Sequence, residues 1–505
     1  MRGRTGVGVG EESALSAIAD RYVAALSGGD VREIDIRAYD RLAVPSIAAV
    51  YTSPTEPAPA HSTGFGATTA AARVGALGEL SEGVLVNRVV ATLTPEAGSY
   101  AQMVARYGHD LVADPVTLVL EAGSDYSPDR PLLWAPMTRW RTGETVRVPI
   151  EFVASEAHTL PGSAPQGGWL TTAVTNGLGA GDTLERAMGH ALLEIIQRDG
   201  DTVCYRALDT GVVIDLSAST DPQTVALLES YRRQGVEPLV KLAESELATV
   251  VFCVGIDSAA DTAADTGPLA VTAIGEAAAL DPTSAIRKAL LEYASSRVRK
   301  AFAFGDLAEV SARHPDYLER ELSFPLVPQE ERAVQEMQRW SAMSASELSD
   351  LVAPTLYRTE RTVSLASLGS AAEVDDPAAA LAEILRRLEG FDVLYLAAGE
   401  TGGMRAVKVL VPGLEVETMS YLRIGERVLR RLLDRGSSLV GLGAPGTPDQ
   451  LPVHLTRDAT ERIGGPAWFD RAEVARLVGG LYPLYREPDR FAMQRLARGE
   501  RPPQG

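Results

Sequence analysis

Glu79, Glu194 and Glu292 stand in one register. Each closes an Ala-x-x-x-Ala-Leu-x-Glu pattern that begins at Ala72, Ala187 or Ala285. Ala and Glu are common in this chain, so a single copy would say nothing. Three copies, each after a stretch of small residues, mark a tripled structural unit that aims one carboxylate per copy at a shared place. Three convergent carboxylates suit Mg2+ carried on a nucleotide polyphosphate. The residues that follow extend the set. Glu82 lies three after Glu79, Gln197 and Arg198 follow Glu194, and Ser295, Ser296 and Arg297 follow Glu292. Residues three and four apart share a helix face. The first helix therefore offers two carboxylates, the second a carboxylate, an amide and a guanidinium, and the third a carboxylate and a guanidinium. Carboxylate oxygens suit the metal and guanidinium suits phosphate. His190, four residues before Glu194, shares that face.

The elements that must position these groups follow from the same segments. Residues 61–68, 175–183 and 273–282 look like loops entering helices. Gly64 and Gly66, then Gly179 and Gly181, fall 15 and 13 residues before the glutamate; the third copy has Ala277 and Ala279 there. Small residues recur where backbone must approach closely. Thr68, Asp182 or Thr183, and Asp281 fit helix N-caps, and Pro282 fits the first helical position. The alanines at i and i+4 give each helix one smooth face for the core. The glutamate borders that face, where a carboxylate is costly unless paired or metal-bound. Each helix alone would pass for an ordinary Ala-rich amphipathic helix with Glu at its solvent edge. The common register speaks against that for all three.

Length and composition set limits. At 505 residues and 45% hydrophobic, the chain can build a large core, and the repeat favours one large unit over several domains. A net charge of −19 argues against nucleic-acid binding as the main task. Cys204 and Cys253 are the two cysteines, too few for a disulfide framework or a metal site built wholly of cysteines. Histidines show no metal-ligand spacing, and no Gly-x-x-x-x-Gly-Lys-Ser/Thr loop is present. The first residues lack an apolar signal region and no stretch reaches transmembrane length, so a cytoplasmic protein is expected.

Helix and strand patterns alternate, which predicts a mixed α/β or α+β fold. A helix is expected over 13–26 after a disordered 1–12, with strands over 42–50, 116–120, 145–149, 211–215, 249–256, 391–396 and 407–413. A polar helical region spans 306–349, and a last helix over 471–479 precedes a disordered polar tail.

The second copy resembles the YcaO family most closely. Thr175-Asn176-Gly177-Leu178-Gly179-Ala180-Gly181, running into Glu194-Ile195-Ile196-Gln197-Arg198, is similar to the family's Asn-Gly-Leu-Ala-x-Gly stretch and its Glu-x-x-Glu-Arg helix. Asp40 to Pro45, Leu133-Trp134-Ala135-Pro136, Gly143-Glu144 with Val148-Pro149, and Val411-Pro412-Gly413 resemble its weaker landmarks. The resemblance covers about 35–430. It implies a YcaO-like fold with three repeated loop–helix units around a nucleotide site. The corresponding division is an N-terminal helical segment (1–34), a catalytic domain (35–435) and a C-terminal extension with polar tail (436–505). It also implies an ATP- and Mg2+-dependent enzyme acting on peptide backbone amides, forming azolines from Cys, Ser or Thr, or thioamides, or amidines.

Carried over, Glu79, Glu82, Glu194 and Glu292 become metal and nucleotide carboxylates. Gln197 takes the place of a family carboxylate, Arg198 and Arg297 become phosphate contacts, and Asn176 sits in the loop near the nucleotide. Phe65 replaces a Lys, Gly75 a Ser and Gly83 an Arg of the family pattern. Ser295 stands where Gln is frequent, and the Pro-x-Pro-x-Pro ending of many azoline-forming members is absent. A catalytically degenerate scaffold that binds peptide or a partner subunit is the alternative. The expected partners are a precursor peptide and a separate protein that grips its leader. A homodimer is left open, and neither nucleic acid nor membrane is expected.

Overall fold

Thr68, Thr183 and Asp281 each end an extended stretch and open a helix. Their side-chain oxygens accept the backbone N–H of Ala71, Arg186 and Ser284, which satisfies donors left free at a helix start. Pro282 takes the first turn of the third helix, where its missing N–H is no loss. The three repeat helices are Thr69–Thr92, Leu184–Asp201 and Pro282–Phe304. They belong to a computed structural model that describes residues 9–259, 267–369 and 374–502.

Strands gather into three main sheets. β1 (Asp30–Asp35), β2 (Ser46–Thr52) and β3 (Ala60–Phe65) pair antiparallel in that order. The second sheet runs β4 (Glu96–Ser99), β5 (Pro131–Arg139), β13 (Leu394–Thr401), β14 (Met404–Leu410) and β7 (Leu178–Gly181), with β6 (Thr145–Pro149) also on β5. The third runs β11 (Gly275–Ala279), β10 (Thr249–Asp257), β9 (Val236–Leu242), β8 (Val212–Asp215) and β12 (Arg361–Ser364). Only β8 and β12 pair in parallel within it. Thus β3, β7 and β11 are each the outermost strand of a sheet, and each feeds a repeat helix. The expected loop–helix unit is corrected to strand, cap and helix. Gly- and Ala-rich segments have low strand propensity and read as loops. Pairing with β2, β14 and β10 supplies the order that local preference lacks.

The small residues form a seam between strand and helix. A Cβ on Gly64 would lie 1.9 Å from the nitrogen of Ala76, and one on Gly179 would lie 2.3 Å from the oxygen of Ala187. In the third unit the contact falls on Gly275, two residues before Ala277. A Cβ there would lie 2.2 Å from both the Ala289 oxygen and the Tyr293 nitrogen. The strand has moved by two residues and meets its helix one turn later. Ala72, Ala76, Ala187, Ala191, Ala285 and Ala289 are all fully buried, so the smooth face is the core face. Ala187, Ala191 and Leu192 pack with Val407 and Val409 of β14 and with Ile384.

Several expectations shift by local chemistry. Segment 116–120 is a 310 turn, not a strand: the Asp114 carboxylate accepts the Val116 N–H at 2.9 Å and Pro115 opens the turn. The strand expected over 42–50 starts at Ser46, because Ala43 takes a positive φ and Pro45 follows. Those expected over 391–396 and 407–413 are Leu394–Thr401 and Met404–Leu410. Residues 9–12 already belong to the first helix, Val9–Ala25, while 1–8 lie outside the described residues. The expected polar tail is folded through 502. Phe491 is fully buried against Phe302 with ring centroids 5.2 Å apart. Residues 503–505 lie outside the described residues. The stretch after 436 forms a small sheet, β15 (Val440–Leu442), β17 (Ala467–Asp470) and β16 (Gln450–Pro452), whose Phe469 joins the core beside the second repeat helix. Cys204 and Cys253 are free, buried and in separate core clusters. Among the described residues, no helix is long and apolar enough to cross a membrane.

Candidate functional site

Each repeated glutamate turns back onto the strand that precedes its helix. Glu79 Oε2 accepts the Thr63 N–H at 3.1 Å, and Glu194 Oε2 accepts the Gly177 N–H at 2.9 Å. Glu292 accepts the backbone N–H of Glu276. One main-chain donor per unit fixes each carboxylate relative to its own strand. The seam of glycine and alanine fixes the strand relative to the helix, so the three carboxylates are placed by backbone geometry.

All three line one cleft of about 1600 Å3, together with Glu82, Gln197, Arg198 and Glu276. The second unit supplies its centre. Arg198 Nη1 lies 3.0 Å from Glu276 and Nη2 lies 3.7 Å from Glu194. Gln197 donates its amide to Glu276 at 3.3 Å, and the Tyr205 hydroxyl donates to the same carboxylate.

The carboxylates crowd one another. Burial, then the charges of Glu194 and Glu79, push the Glu82 carboxyl well above its usual range. Glu79 keeps access to solvent at the cleft wall; partial desolvation there raises it too, against the Thr63 N–H and the cations Arg490 and Arg299. Burial and the neighbouring Glu276 lift Glu292 to about 8. His190, 4.0 Å from Glu82 with its side chain 51% exposed, is pushed down to about 4 by desolvation within the cleft and by Lys288.

Of the residues singled out in the sequence, Glu79, Glu82, Glu194, Gln197, Arg198 and Glu292 share this cleft. Asn176 lines a smaller adjoining chamber that shares Arg198 with it. Among the described residues, no three His, Cys, Asp or Glu side chains are grouped as a cage for a metal ion. The four expected metal carboxylates line one cleft without forming such a cage. Phe65, Gly75 and Gly83 also line the cleft.

Arg297 is the correction. Its side chain is fully buried, with Nη2 2.9 Å from both Asp40 and Asp257 and Nη1 3.3 Å from the Tyr293 hydroxyl. It is a core cation and does not reach the cleft. Sequence reasoning missed Lys288, Arg299 and Glu276. Lys288 is four residues before Glu292 and Arg299 seven after, so helical spacing alone could have found both. Glu276, on β11, carried no such signal, and neither did Arg490, which donates to Ser62 and Thr63 from the far end of the chain. Glu487, from the same segment, holds Arg299 at 2.6 Å and Lys300 at 2.5 Å.

Comparison with known proteins agrees with this architecture. The chain is similar to a heterocyclase solved in complex with substrate and cofactor, with a TM-score of 0.58 and 18% identity, covering 84% of this chain. It spans 55% of the length of that heterocyclase. It is similar also to YcaO from Methanopyrus kandleri bound with AMPPCP and Mg2+, with a TM-score of 0.54 and 19% identity, over 82% of this chain and 93% of that one. An uncharacterised protein of Methanothermobacter thermautotrophicus is 28% identical over 407 residues, which are 79% of this chain and 93% of the relative. The family profile described as YcaO cyclodehydratase, ATP- and Mg2+-binding, matches residues 63–415. That match opens on β3, the edge strand of the first unit, and closes just past β14; the chain belongs to the YcaO family, whose cofactors are ATP and Mg2+.

Proposed function

We propose that this protein uses Mg-ATP to activate peptide backbone amides, cyclodehydrating Cys, Ser or Thr to azolines in a ribosomally made peptide. The observation that carries this reading is the convergence of Glu79, Glu194 and Glu292, one from each repeat, on a single cleft. An amide carbonyl is a poor electrophile and its oxygen a poor leaving group. In the proposed reaction the side-chain thiol or hydroxyl adds to the carbonyl carbon and loses its proton. The resulting oxyanion attacks the γ-phosphorus of ATP, and ADP departs. Phosphate then leaves as the C=N bond forms and the amide N–H proton is lost. The peptide has lost one water and ATP has become ADP and phosphate. Such a reaction asks the protein for positioning and charge neutralisation, not for a nucleophile of its own.

The donor set fits the metal. Desolvation raises Glu79, Glu82 and Glu292, neighbouring carboxylates add to it, and a divalent cation among them would relieve that cost. We assign Glu79, Glu82, Glu194 and Glu292 to hold Mg2+, with Glu276 beside them. Mg2+ supplies neutralisation of phosphate charge there. Arg198, Lys288 and Arg299 would meet phosphate oxygens. Gln197 donates to Glu276 and would hold it in place, and Asn176, on the adjoining chamber, would lie near the nucleotide. The cleft exceeds the roughly 300–1,000 Å3 of an ordinary small-ligand pocket, which leaves room for a peptide segment. A separate partner that grips a leader peptide belongs to the same reading.

Thioamide or amidine formation would use the same site. A scaffold without turnover is the second reading, favoured by Phe65 and Gly83, which put an apolar ring and open space on the cleft wall. Calorimetry of ATP binding with and without Mg2+, on wild type and Glu194→Ala, tests the first. Binding that requires Mg2+ and is lost in Glu194→Ala is the expected result. Absence of binding by wild type, alone and with a candidate partner protein, would establish the scaffold reading instead. Mass spectrometry of a neighbouring-gene peptide then separates loss of water from exchange of oxygen for sulfur.

A further inference from the structure

Buried cations in this protein come with a carboxylate. Arg130 faces Asp125, Lys241 faces Asp209, Arg297 faces Asp40 and Asp257, Lys300 faces Glu487, and Arg495 faces Glu500. Two buried cations break the rule among the described residues. Lys408, fully buried on β14, donates to one acceptor, the Val174 carbonyl at 2.6 Å. Arg423, 4% exposed, donates Nε to the Val119 carbonyl at 2.7 Å and Nη2 to the Leu118 carbonyl at 2.6 Å. Neither makes an ion pair with a described carboxylate. Both line the same chamber, a cavity of about 50 Å3 that meets the main cleft at Arg198.

An ammonium has three donors, and Lys408 uses one. Burying a cation without a counter-charge is expensive. Burial, with Arg423 adding to it and Glu194 and Glu156 opposing, pushes the Lys408 ammonium down to about 7, and an anion in the cavity would favour its charged form. The described carboxylates nearby form no ion pair with either cation. Glu121, the strongest opposing charge at Arg423, and Glu156, beside Glu194 in its effect on Lys408, act at longer range. Glu415 gives both oxygens to the Gly425 and Val428 N–H groups. Glu194 acts on Lys408 from the cleft side, at more than ion-pair distance, and is already engaged with Gly177 and Arg198. Glu151 accepts the Leu170 N–H with one oxygen, while Oε2 is buried with no partner. Burial, opposed by backbone N–H groups and Arg130, raises that carboxyl above its ordinary range. Asn176 adds an amide to the same wall. The space admits a few waters or one small oxyanion.

We propose that this chamber is a binding site for a small oxyanion, a phosphate or carboxylate group, held by Lys408 with Arg423 and Asn176. The inference does not depend on what the main cleft binds, because the two cations lack counter-charges in either case. A phosphate occupant would come from the ATP-driven step, and a carboxylate occupant from a peptide.

Orthophosphate and acetate are titrated calorimetrically into the full chain without nucleotide, for wild type, Lys408→Met and Lys288→Met. Lys408→Met is expected to weaken the preferred anion by about ten-fold or more, the loss of a charged donor. Lys288→Met removes a cation of the main cleft that would meet phosphate, so it should weaken any orthophosphate held there while the Lys408-dependent binding persists. Tighter orthophosphate assigns the site to phosphate, and tighter acetate assigns it to a carboxylate. Lys408→Met closely matches the shape of lysine and removes an unpaired buried charge, so its melting temperature should hold or rise. Should it fail to fold, Lys408→Gln and a selenate soak of wild-type crystals take its place. The anomalous peak is then expected within hydrogen-bonding distance of Lys408. Neither anion binding to wild type, Lys408→Met binding as wild type does, or selenate found only in the main cleft would each overturn the proposal.

Discussion

Arg198 and Arg297 follow matching glutamates on matching helices and end in opposite places. Arg198 lies four residues after Glu194, in the cleft between two carboxylates with its side chain 32% exposed. Arg297 lies five residues after Glu292, sealed between Asp40 and Asp257. At about 100° per residue, four steps return to within about 40° of the glutamate, and five steps land about 140° away. One residue of spacing thus separates a cleft-facing cation from a structural one. Arg299, seven steps on and about 20° from Glu292, is the third helix's true counterpart of Arg198.

The sharpest break of this comparison is in stability. Arg297→Met strands two buried aspartates and should lose about 3–5 kcal/mol, read from urea unfolding. Arg198→Met should stay within about 1 kcal/mol, since its pairs are partly solvated. Equal losses would mean that both arginines are structural. Nucleotide affinity should sort them the other way. Arg198→Met and Glu194→Gln are each expected to weaken Mg-ATP by roughly 10- to 150-fold, the range for one charged contact, measured by calorimetry. Arg299→Met should match them if helical phase is the deciding factor.

A third test is pH. The folded-state pKa of Glu292, about 8, lies above its usual 4.5. The native state therefore holds a proton that the unfolded chain releases, and this group's contribution falls as pH rises from 4.5 through 8. His190 contributes the opposite slope between about 4 and 6.5. The difference between wild type and Glu292→Gln, melted at pH 6.5, 7.25 and 8 (about the upper half of that window), isolates the glutamate. Wild type should lose stability relative to the variant as pH rises, and a flat difference would show that Glu292 is already ionised. The smallest effect is expected at Gly83, where a Cβ meets nothing within 4 Å. Gly83→Arg should gain up to about 1 kcal/mol from helix propensity, and tighter Mg-ATP binding would show that the cleft accepts one more cation.

Much of the site was legible because it is periodic. The Ala-Ala-Leu-Glu register picked out Glu79, Glu194 and Glu292, which line one cleft, and the caps at Thr68, Thr183 and Asp281 mark where the helices start. Three features were not read from the sequence. The strands β3, β7 and β11 consist of residues that favour loops and are ordered by their partners. The turn at Asp114-Pro115 overrides an apolar run that otherwise reads as a strand. Arg490 reaches the cleft, and Glu487 holds Arg299 beside it, from a segment with no repeat in it, through contacts that span hundreds of residues, and Glu276 lies on the third repeat strand at a position the pattern does not mark. The misplacement of Arg297 was different in kind. The information was present in the spacing, and a strict count of helical phase would have sent it to the core.

The seam between each edge strand and its helix also has a mechanical meaning. Gly64, Gly179 and Gly275 bring main chain against main chain, so no side chain lies between the two elements to change rotamer or slide. Each unit is a stiff strut with a carboxylate bolted to it by a main-chain N–H. Closure of the cleft around a ligand must therefore come from the three struts shifting as rigid pieces, with the bending confined to the connections between sheets. Variants that change the rate of opening and closing should be found in those connections, while changes inside a strut should act on whether the site assembles at all.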